Sequence, residues 1–74
     1  MNTADWIADV VAGLAPLCTA SEAANALRMS PRNLRRLIVQ GRIGALREKT
    51  TGSSRVLIPR VEIERYLRSL IVEK

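Results

Sequence analysis

Two helix-start signals lie eleven residues apart in this chain, and they constrain its fold more than any other feature. Thr19 followed by Glu22 has the spacing of a capping box, in which each side chain accepts a hydrogen bond from the other residue's backbone N–H. Ser30 suits the N-cap of a second helix, and Pro31 suits its first position, where no N–H is needed. One helix that ends near residues 28–29 and another over residues 31–40, closed by Gly41, predict a helix-turn-helix.

The pattern changes from helical to extended after Gly41. Residues 43–47 and 55–58 are predicted to pair as a hairpin, with the loop in residues 49–54. Pro59 is expected to end the second strand, and a last helix follows. Its apolar positions share one face and are Ile63, Tyr66, Leu67, Leu70 and Ile71. The expected fold class is mainly α with a small β-hairpin wing, a winged helix-turn-helix with an additional helix at each end.

The additional N-terminal helix is predicted over residues 3–14, with Thr3 as its N-cap. Its apolar residues recur at helical spacing and are Ile7, Val10, Val11 and Leu14. Trp6 lies beside this face and is expected to be packed, because Asp5 and Asp9 next to it would repel a phosphate. The helix completes the core of its own chain or forms an interaction surface, and the sequence leaves both possibilities open.

The residue types that are missing exclude several kinds of site. There is no histidine, and Cys18, expected to be a small buried residue, is the only cysteine. These counts exclude an internal disulfide, a zinc site of the usual ligands, and Ser–His or Cys–His catalysis. No segment approaches the roughly 18 apolar residues of a membrane span, and the N-terminus lacks a signal-peptide pattern. We therefore expect one domain over residues 1–74, cytoplasmic and not an enzyme, with no metal, cofactor, membrane or small-molecule ligand.

Positive charge is concentrated in the middle of the chain. Nine of the twelve basic residues lie between Arg28 and Arg60, where Glu48 is the only acid, so residues 28–60 carry +8. Residues 1–27 carry −3, and residues 61–74 have no net charge. This distribution is typical of a protein that binds a polyanion, although a solvated basic surface would also produce it.

The second helix of the predicted motif carries the chemistry that fits DNA. Leu34, Leu37 and Ile38 share one face, and if that face is buried, a polar ridge points away from the body. The ridge residues are Arg32, Asn33, Arg35 and Arg36, with Ser30 at the start of the helix. Arginine pairs with guanine and asparagine with adenine in the major groove. A solvated helix face is the alternative, but the helix has no acid to pair with these arginines.

The hairpin is the second candidate element. Arg47, Lys49 and Arg55 bracket a tip of threonine, serine and glycine, with Thr51 at its centre. Cations, hydroxyls and backbone N–H groups there would contact the sugar–phosphate backbone and position the protein without reading sequence. The alternative is a flexible hairpin loop with no ligand.

The chain resembles the excisionase-type, MerR-like family of winged helix-turn-helix DNA-binding proteins. The matching segments are Leu17-Cys18-Thr19, Glu22-Ala23-Ala24, Leu27, Met29 to Ile38, Gln40-Gly41-Arg42-Ile43 and Val56 to Arg60, within residues 17–68. The resemblance implies a second helix in the major groove and a wing on the minor groove or backbone. It thus implies DNA contacts by Ser30, Arg32, Asn33, Arg35 and Arg36, and on the wing by Arg47, Lys49 and Arg55. Arg28 departs from the family by replacing a turn glycine, the wing is longer than usual, and residues 3–14 lie outside the match.

The resemblance further implies an excisionase, also called a recombination directionality factor. Such proteins bind side by side and bend an attachment site so that a phage-type integrase assembles for excision. The short chain, without a long C-terminal coiled coil, favours this role in the cytoplasm of a bacterial host. A small MerR-like transcriptional regulator is the alternative, and a protein–protein adaptor is a third possibility. The split between −3 and +8 suggests head-to-tail self-association on DNA.

Overall fold

The computed structural model describes residues 5–50 and 53–71, which form four helices and three short strands. The elements there are α1 (Asp5–Ala12), β1 (Leu17–Thr19), α2 (Ala20–Leu27), α3 (Pro31–Val39), β2 (Leu46–Thr50), β3 (Ser53–Pro59) and α4 (Arg60–Ser69). The helix-turn-helix is formed by α2 and α3, and the wing by β2 and β3, so the expected winged fold is confirmed. None of the helices described is long and apolar enough to cross a membrane.

The capping signals form the helix-turn-helix as expected. Glu22 N donates to Thr19 Oγ1 at 3.1 Å, and Thr19 N donates to Glu22 Oε1 at 2.9 Å, which completes the capping box. α2 ends at Leu27, slightly earlier than predicted. α3 ends at Val39, one residue early, and Gly41 follows with a φ of +76°, in the left-handed region where glycine is favoured.

The strand β1 is the element that sequence reasoning missed. No strand is predicted from the sequence before α2, but residues 17–19 form one that pairs with β3. The sheet is antiparallel with the order β1-β3-β2, and Cys18 lies opposite Ile58. A three-residue strand is too short to show a period of two, so the sequence pattern had no means of indicating it.

The core lies between the inner face of this sheet and the helices. Cys18 and Ile58 contribute from the sheet, and both are fully buried. The buried hydrophobic residues of the surrounding elements are Ile7, Val11, Ala23, Ala24, Leu34, Leu37, Ile43, Ile63 and Tyr66. The expected burial of Cys18 and Tyr66 is confirmed. Burial also raises the pKa of the Cys18 thiol, with a smaller contribution from Glu22 in the same direction.

The N-terminal helix packs on its own chain, against α4. Ile7 and Val11 are buried as expected, but the helix described is shorter than residues 3–14, and Thr3 lies outside the described residues. The expectation that Trp6 is packed is wrong, because half of its surface is exposed. Trp6 is turned about 100° around the helix from Ile7, so it lies beside the face that contacts α4.

The wing and the last helix also differ from their expected limits. β2 begins at Leu46, later than the predicted residue 43, because Ile43 is buried in the core and Gly44 bonds to α4. Both strands extend further toward the tip than expected, so the loop is shorter than residues 49–54. Leu70 was expected on the apolar face of α4, but the helix ends at Ser69 and Leu70 is 47% exposed.

The turn between α2 and α3 holds an arginine in a strained conformation. Arg28 has a φ of 56° and a ψ of 46°, the left-handed region that side chains with a Cβ rarely adopt. Met29 N donates to Ala24 O at 3.0 Å and Arg28 N to Asn25 O at 3.1 Å, so the backbone bonds of the turn require this conformation. Arg28, which stands where the family has a turn glycine, therefore strains the backbone of this turn.

Replacing Arg28 by glycine is expected to stabilise the fold by about 0.5–1 kcal/mol, because relief of the left-handed strain exceeds the greater entropy of glycine in the unfolded chain. Urea unfolding measures this as a higher midpoint with an unchanged slope. Arg28→Ala is the control, since it removes the same charge but keeps the Cβ. Equal stabilisation by both variants would show that charge, not backbone conformation, is the cause.

A carboxylate joins the loop before β2 to α4. Gly44 N and Arg65 Nη2 each donate to Glu62 Oε1 at 2.7 Å. A Cβ at position 44 would lie 2.7 Å from that oxygen, so this contact requires glycine. The hydrogen bonds from Arg65, and next from Gly44 N–H, hold the pKa of Glu62 below its ordinary value despite opposing desolvation. The stabilisation from this carboxylate is present above its unfolded pKa and is lost as pH falls through its folded pKa.

Glu62→Gln is expected to lower the free energy of unfolding by about 1 kcal/mol at neutral pH, because an ionised acceptor bonds Gly44 N–H more strongly than an amide oxygen. The difference from the wild type should shrink in urea unfolding between neutral pH and an acidic pH below the lowered pKa of Glu62, where the wild-type carboxylate also becomes neutral. The matched control is Glu64→Gln, whose carboxylate bonds Arg68 but no backbone N–H among the described residues. An equal loss at both pH values would contradict the assignment.

Candidate nucleic-acid interface

The second helix of the motif presents its polar residues to solvent. Leu34 is 1% and Leu37 8% exposed, so the apolar face of α3 is buried as expected. The residues on the other side are all exposed and are Arg32, Asn33, Arg35 and Arg36. We call these four residues the arginine ridge. The hydrophobic contacts of one face thus hold three guanidinium groups and an amide outward on a rigid helix.

The arginine ridge has no acidic partner among the described residues. The ion pairs there join Arg55 to Glu48, Arg65 to Glu62 and Arg68 to Glu64. Arg32 lies three residues before Arg35 and four residues before Arg36, so like charges are neighbours on the helix surface. Such a pair destabilises a helix by about 0.2–0.5 kcal/mol, and a bound polyanion relieves that repulsion.

Ser30 lies at the N-terminus of α3 and is exposed. Its Oγ accepts a hydrogen bond from Asn33 N at 3.2 Å and so caps the helix. The hydroxyl proton is not used in that bond and is available to a phosphate oxygen. Ser30 therefore has a structural role that is compatible with its predicted place at the DNA surface.

The register of the wing separates its cations into two faces. Arg47 lies opposite Val56, and Lys49 opposite Ser54, so these residues share the sheet face of the buried Ile58. Arg55 lies opposite Glu48 on the other face of the sheet. Sequence reasoning grouped the three cations at one tip, whereas the structure places Arg47 and Lys49 together and Arg55 apart from them.

Arg55 also has a partner within the wing. Its Nη2 and Nε donate to Glu48 Oε1 at 2.7 Å and 3.2 Å. Both side chains are about half exposed, at 62% and 48%, so the pair is weak and exchangeable. The predicted DNA contact of Arg55 stays a prediction with less structural support than that of Arg47. Thr51, the remaining predicted wing residue, lies outside the described residues.

A cleft of about 200 Å³ connects the arginine ridge with the wing. Arg35 from α3 and Arg47 from β2 both line it. The other lining residues are mostly apolar and are Ala20, Pro31, Leu34, Ile38, Val39 and Val56. Two cations twelve residues apart in sequence thus belong to one surface. Their residue types could be picked out from sequence, but their meeting depends on how the wing is placed against α3.

Comparison with known families agrees with this arrangement. The family model of the helix-turn-helix domain matches residues 17–70, from β1 to just past α4. The chain belongs to the helix-turn-helix domain family. No curated protein and no solved structure matches it. The matched region is a DNA-binding helix-turn-helix, and the arginine ridge lies on the second of its two helices, the one that enters the major groove in this motif.

Several basic residues of this helix-turn-helix protein have partners within the chain and are less available to contact DNA. Arg60 Nη1 donates to Leu14 O at 2.9 Å, and Arg60 N donates to Pro16 O at 2.8 Å, so Arg60 holds the segment between α1 and β1. The guanidinium of Arg42 lies 5.5 Å from the centre of the Tyr66 ring, in a cation–π contact. Arg65 and Arg68 pair with Glu62 and Glu64 on α4.

Arg47→Ala is expected to weaken binding to any duplex and to reduce the salt slope by about one, because Arg47 lies on the wing face next to α3 and would neutralise one phosphate. Arg55→Ala should reduce it less, since Arg55 lies on the opposite face and already pairs with Glu48. The two variants remove the same charge from paired strands. Fluorescence anisotropy with a labelled duplex over a range of salt concentrations measures both slopes. A greater reduction for Arg55→Ala would reverse the assignment of the faces.

Proposed function

We propose that this chain binds duplex DNA with α3 in the major groove and the wing against the adjoining sugar–phosphate backbone, and acts as an excisionase. The observation that carries the proposal is the exposed arginine ridge, which has no acidic partner among the described residues and continues across the cleft to Arg47. An α-helix with its side chains is about 10–12 Å in diameter and the major groove is about 12 Å wide, so α3 is narrow enough to lie in the groove.

The order of residues along α3 assigns roles within the groove. Arg32 and Asn33 lie in the first turn, the part of a recognition helix that contacts base edges. Arginine donates to guanine O6 and N7, and asparagine bonds adenine N6 and N7. Arg35 and Arg36 follow one turn later and reach either a base or the phosphates that border the groove. Ser30, at the N-cap, is positioned for a phosphate rather than a base.

The wing supplies the second part of the contact. Arg47 and Lys49 share one face of the wing, and Arg47 lines the cleft between the wing and α3, so this face is the one placed to meet the sugar–phosphate backbone beside the groove. Contacts of this kind fix the position of the protein on the duplex and carry no sequence information of their own. The proposed division is therefore a reading helix beside a positioning wing.

The packing of α1 on α4 supports an excisionase over a dimeric regulator. Ile7 and Val11 of α1 and Ile63 and Tyr66 of α4 are buried within the described chain. The apolar faces that would most easily form a symmetric dimer are thus already occupied. Copies would instead line up side by side on a bent attachment site, with the acidic N-terminal segment of one near the basic middle of the next, where an integrase assembles.

A small transcriptional regulator of the same fold is the second candidate. It is favoured by exposed apolar residues at the far ends of the paired helices. Trp6 of α1 is 50% exposed, and Leu70, just after α4, is 47% exposed. A twofold contact through these residues would form a dimer, and a dimeric regulator reads two half-sites about one helical turn of DNA apart. The two candidates therefore differ in the symmetry of the DNA site.

A footprinting titration of the chain on attachment-site and intergenic fragments tests the proposal. An excisionase should protect adjacent direct repeats in steps, with phased cleavage enhancements where the duplex bends. Arg36→Ala should weaken binding by about 1–3 kcal/mol, because it removes a contact of the reading helix. The matched control is Arg68→Ala, which removes the same charge from an exposed ion pair on α4 and should change binding little.

Each other outcome has a definite meaning. One protected palindrome at a promoter would favour the regulator over the excisionase. A chain that binds as a non-cooperative monomer in DNA titration and analytical ultracentrifugation would contradict head-to-tail assembly. Absence of protection at low salt on every fragment would contradict DNA binding. In that case the chain would be a protein–protein adaptor, and Arg32→Ala and Arg36→Ala would leave binding to its protein partner unaffected.

A further inference from the structure

An exposed valine lies next to the arginine ridge, at the end of α3. Val39 is the last residue of α3, and 80% of its surface is exposed, more than for any other large hydrophobic residue of the described chain. At about 100° per residue, Val39 falls between Arg35 on one side and Arg32 on the other. The buried Leu34 and Leu37 lie on the far side of the helix. Val39 is therefore at the centre of the surface that faces outward.

Packing within the chain does not account for this residue. Val39 contributes to one wall of the cleft, next to Ile38 and across from Val56 of the wing, yet most of its surface remains in contact with water. A polar residue at this position would be equally compatible with the fold. A single exposed valine on an ordinary surface has no particular meaning, but this one lies one helical turn after Arg35 and Arg36, on the helix proposed to read DNA.

The chemistry of the major groove gives an apolar side chain one specific partner. Base edges there present hydrogen-bond donors and acceptors, and the C5-methyl of thymine is the apolar group among them. We propose that Val39 contacts a thymine methyl and makes this chain prefer thymine at one position of its DNA site. This inference rests on the proposed function, since it requires α3 to lie in the major groove.

The helix geometry also gives the neighbouring bases. Val39 follows Arg36 by three residues and Arg35 by four, so their Cβ atoms lie about 5–6 Å apart on the helix surface. Successive bases on one strand are separated by about 3.4 Å along the axis. The thymine read by Val39 thus lies one or two base pairs from a base or phosphate contacted by these arginines.

The experiment removes one methyl group at a time from the DNA. Duplexes bound by the wild-type chain are first selected from a random 30-base-pair library, with 30 chosen as about three helical turns. Each thymine of the selected site is then replaced by deoxyuracil, which keeps every hydrogen-bonding atom and lacks only the methyl. At one thymine the replacement should weaken wild-type binding about threefold to fivefold, the equivalent of one buried methyl group. Val39→Ala should bind the two duplexes within about twofold of each other.

Val61→Ala is the matched control. Val61 is also an exposed valine on a helix, 66% exposed, but it lies on α4 away from the arginine ridge. This variant should keep the wild-type ratio between thymine and deoxyuracil duplexes. Because Val39 is exposed and alanine favours helices, Val39→Ala is expected to fold, and its urea midpoint checks this.

The outcomes separate this inference from the proposed function. Sequence-selective binding with equal effects of every deoxyuracil on wild type and Val39→Ala would overturn the role of Val39 and leave DNA binding in place. A selected site without thymine, or binding with no sequence preference, would overturn it in the same way. Failure of the wild-type chain to bind any duplex at low salt would overturn DNA binding itself, and the role of Val39 with it.

Discussion

The pairing of β1 with β3 holds the two parts of the proposed DNA-binding surface, α3 and the wing, in one arrangement. Cys18 and Ile58 lie opposite each other and are fully buried. Because β1 runs directly into α2 and β3 is a strand of the wing, this pairing fixes the wing relative to the helix-turn-helix. Arg60 strengthens the junction by bonding Leu14 O and Pro16 O. The cleft that brings Arg35 and Arg47 together exists only because this junction sets the distance between α3 and the wing.

Sequence reasoning predicted the features that depend on nearby residues and missed those that depend on distant ones. The capping box at Thr19 and the Ser30 cap act over three residues, so the helix-turn-helix and its exposed ridge followed from the pattern. The strand β1 depends on β3, a partner far along the chain, and the register that places Arg55 opposite Glu48 depends on where the hairpin turns. Register is decisive for the wing, since neighbouring residues of a strand point to opposite faces. The exposure of Trp6 depended likewise on where α4 lies.

The nine basic residues between Arg28 and Arg60 are chemically similar, but the structure gives them different partners. Arg60 bonds backbone carbonyls, Arg42 contacts an aromatic ring, and Arg55 pairs with Glu48. The arginines of the ridge have no such partner among the described residues, so their mutual repulsion acts against the free fold. A chain of 74 residues buries only about 60% of its unfolded surface and has little stability to spare. The repulsion among these arginines is therefore expected in a protein that binds a polyanion, because the bound polyanion removes it.

Affinity and sequence preference would come from different members of this surface. Guanidinium groups are attracted to every phosphate, so an arginine that misses its guanine still gains from the backbone, and its net discrimination is reduced. Asn33 and Val39 are uncharged and gain only from the right base edge, an adenine for the amide and a thymine methyl for the valine. Because pyrimidine–purine steps such as TA are flexible whereas A-tracts are stiff, a preference for these two bases also favours a duplex that bends easily where they form a TA step. Base reading by the uncharged residues of α3 and bending of the site would then select the same sequences.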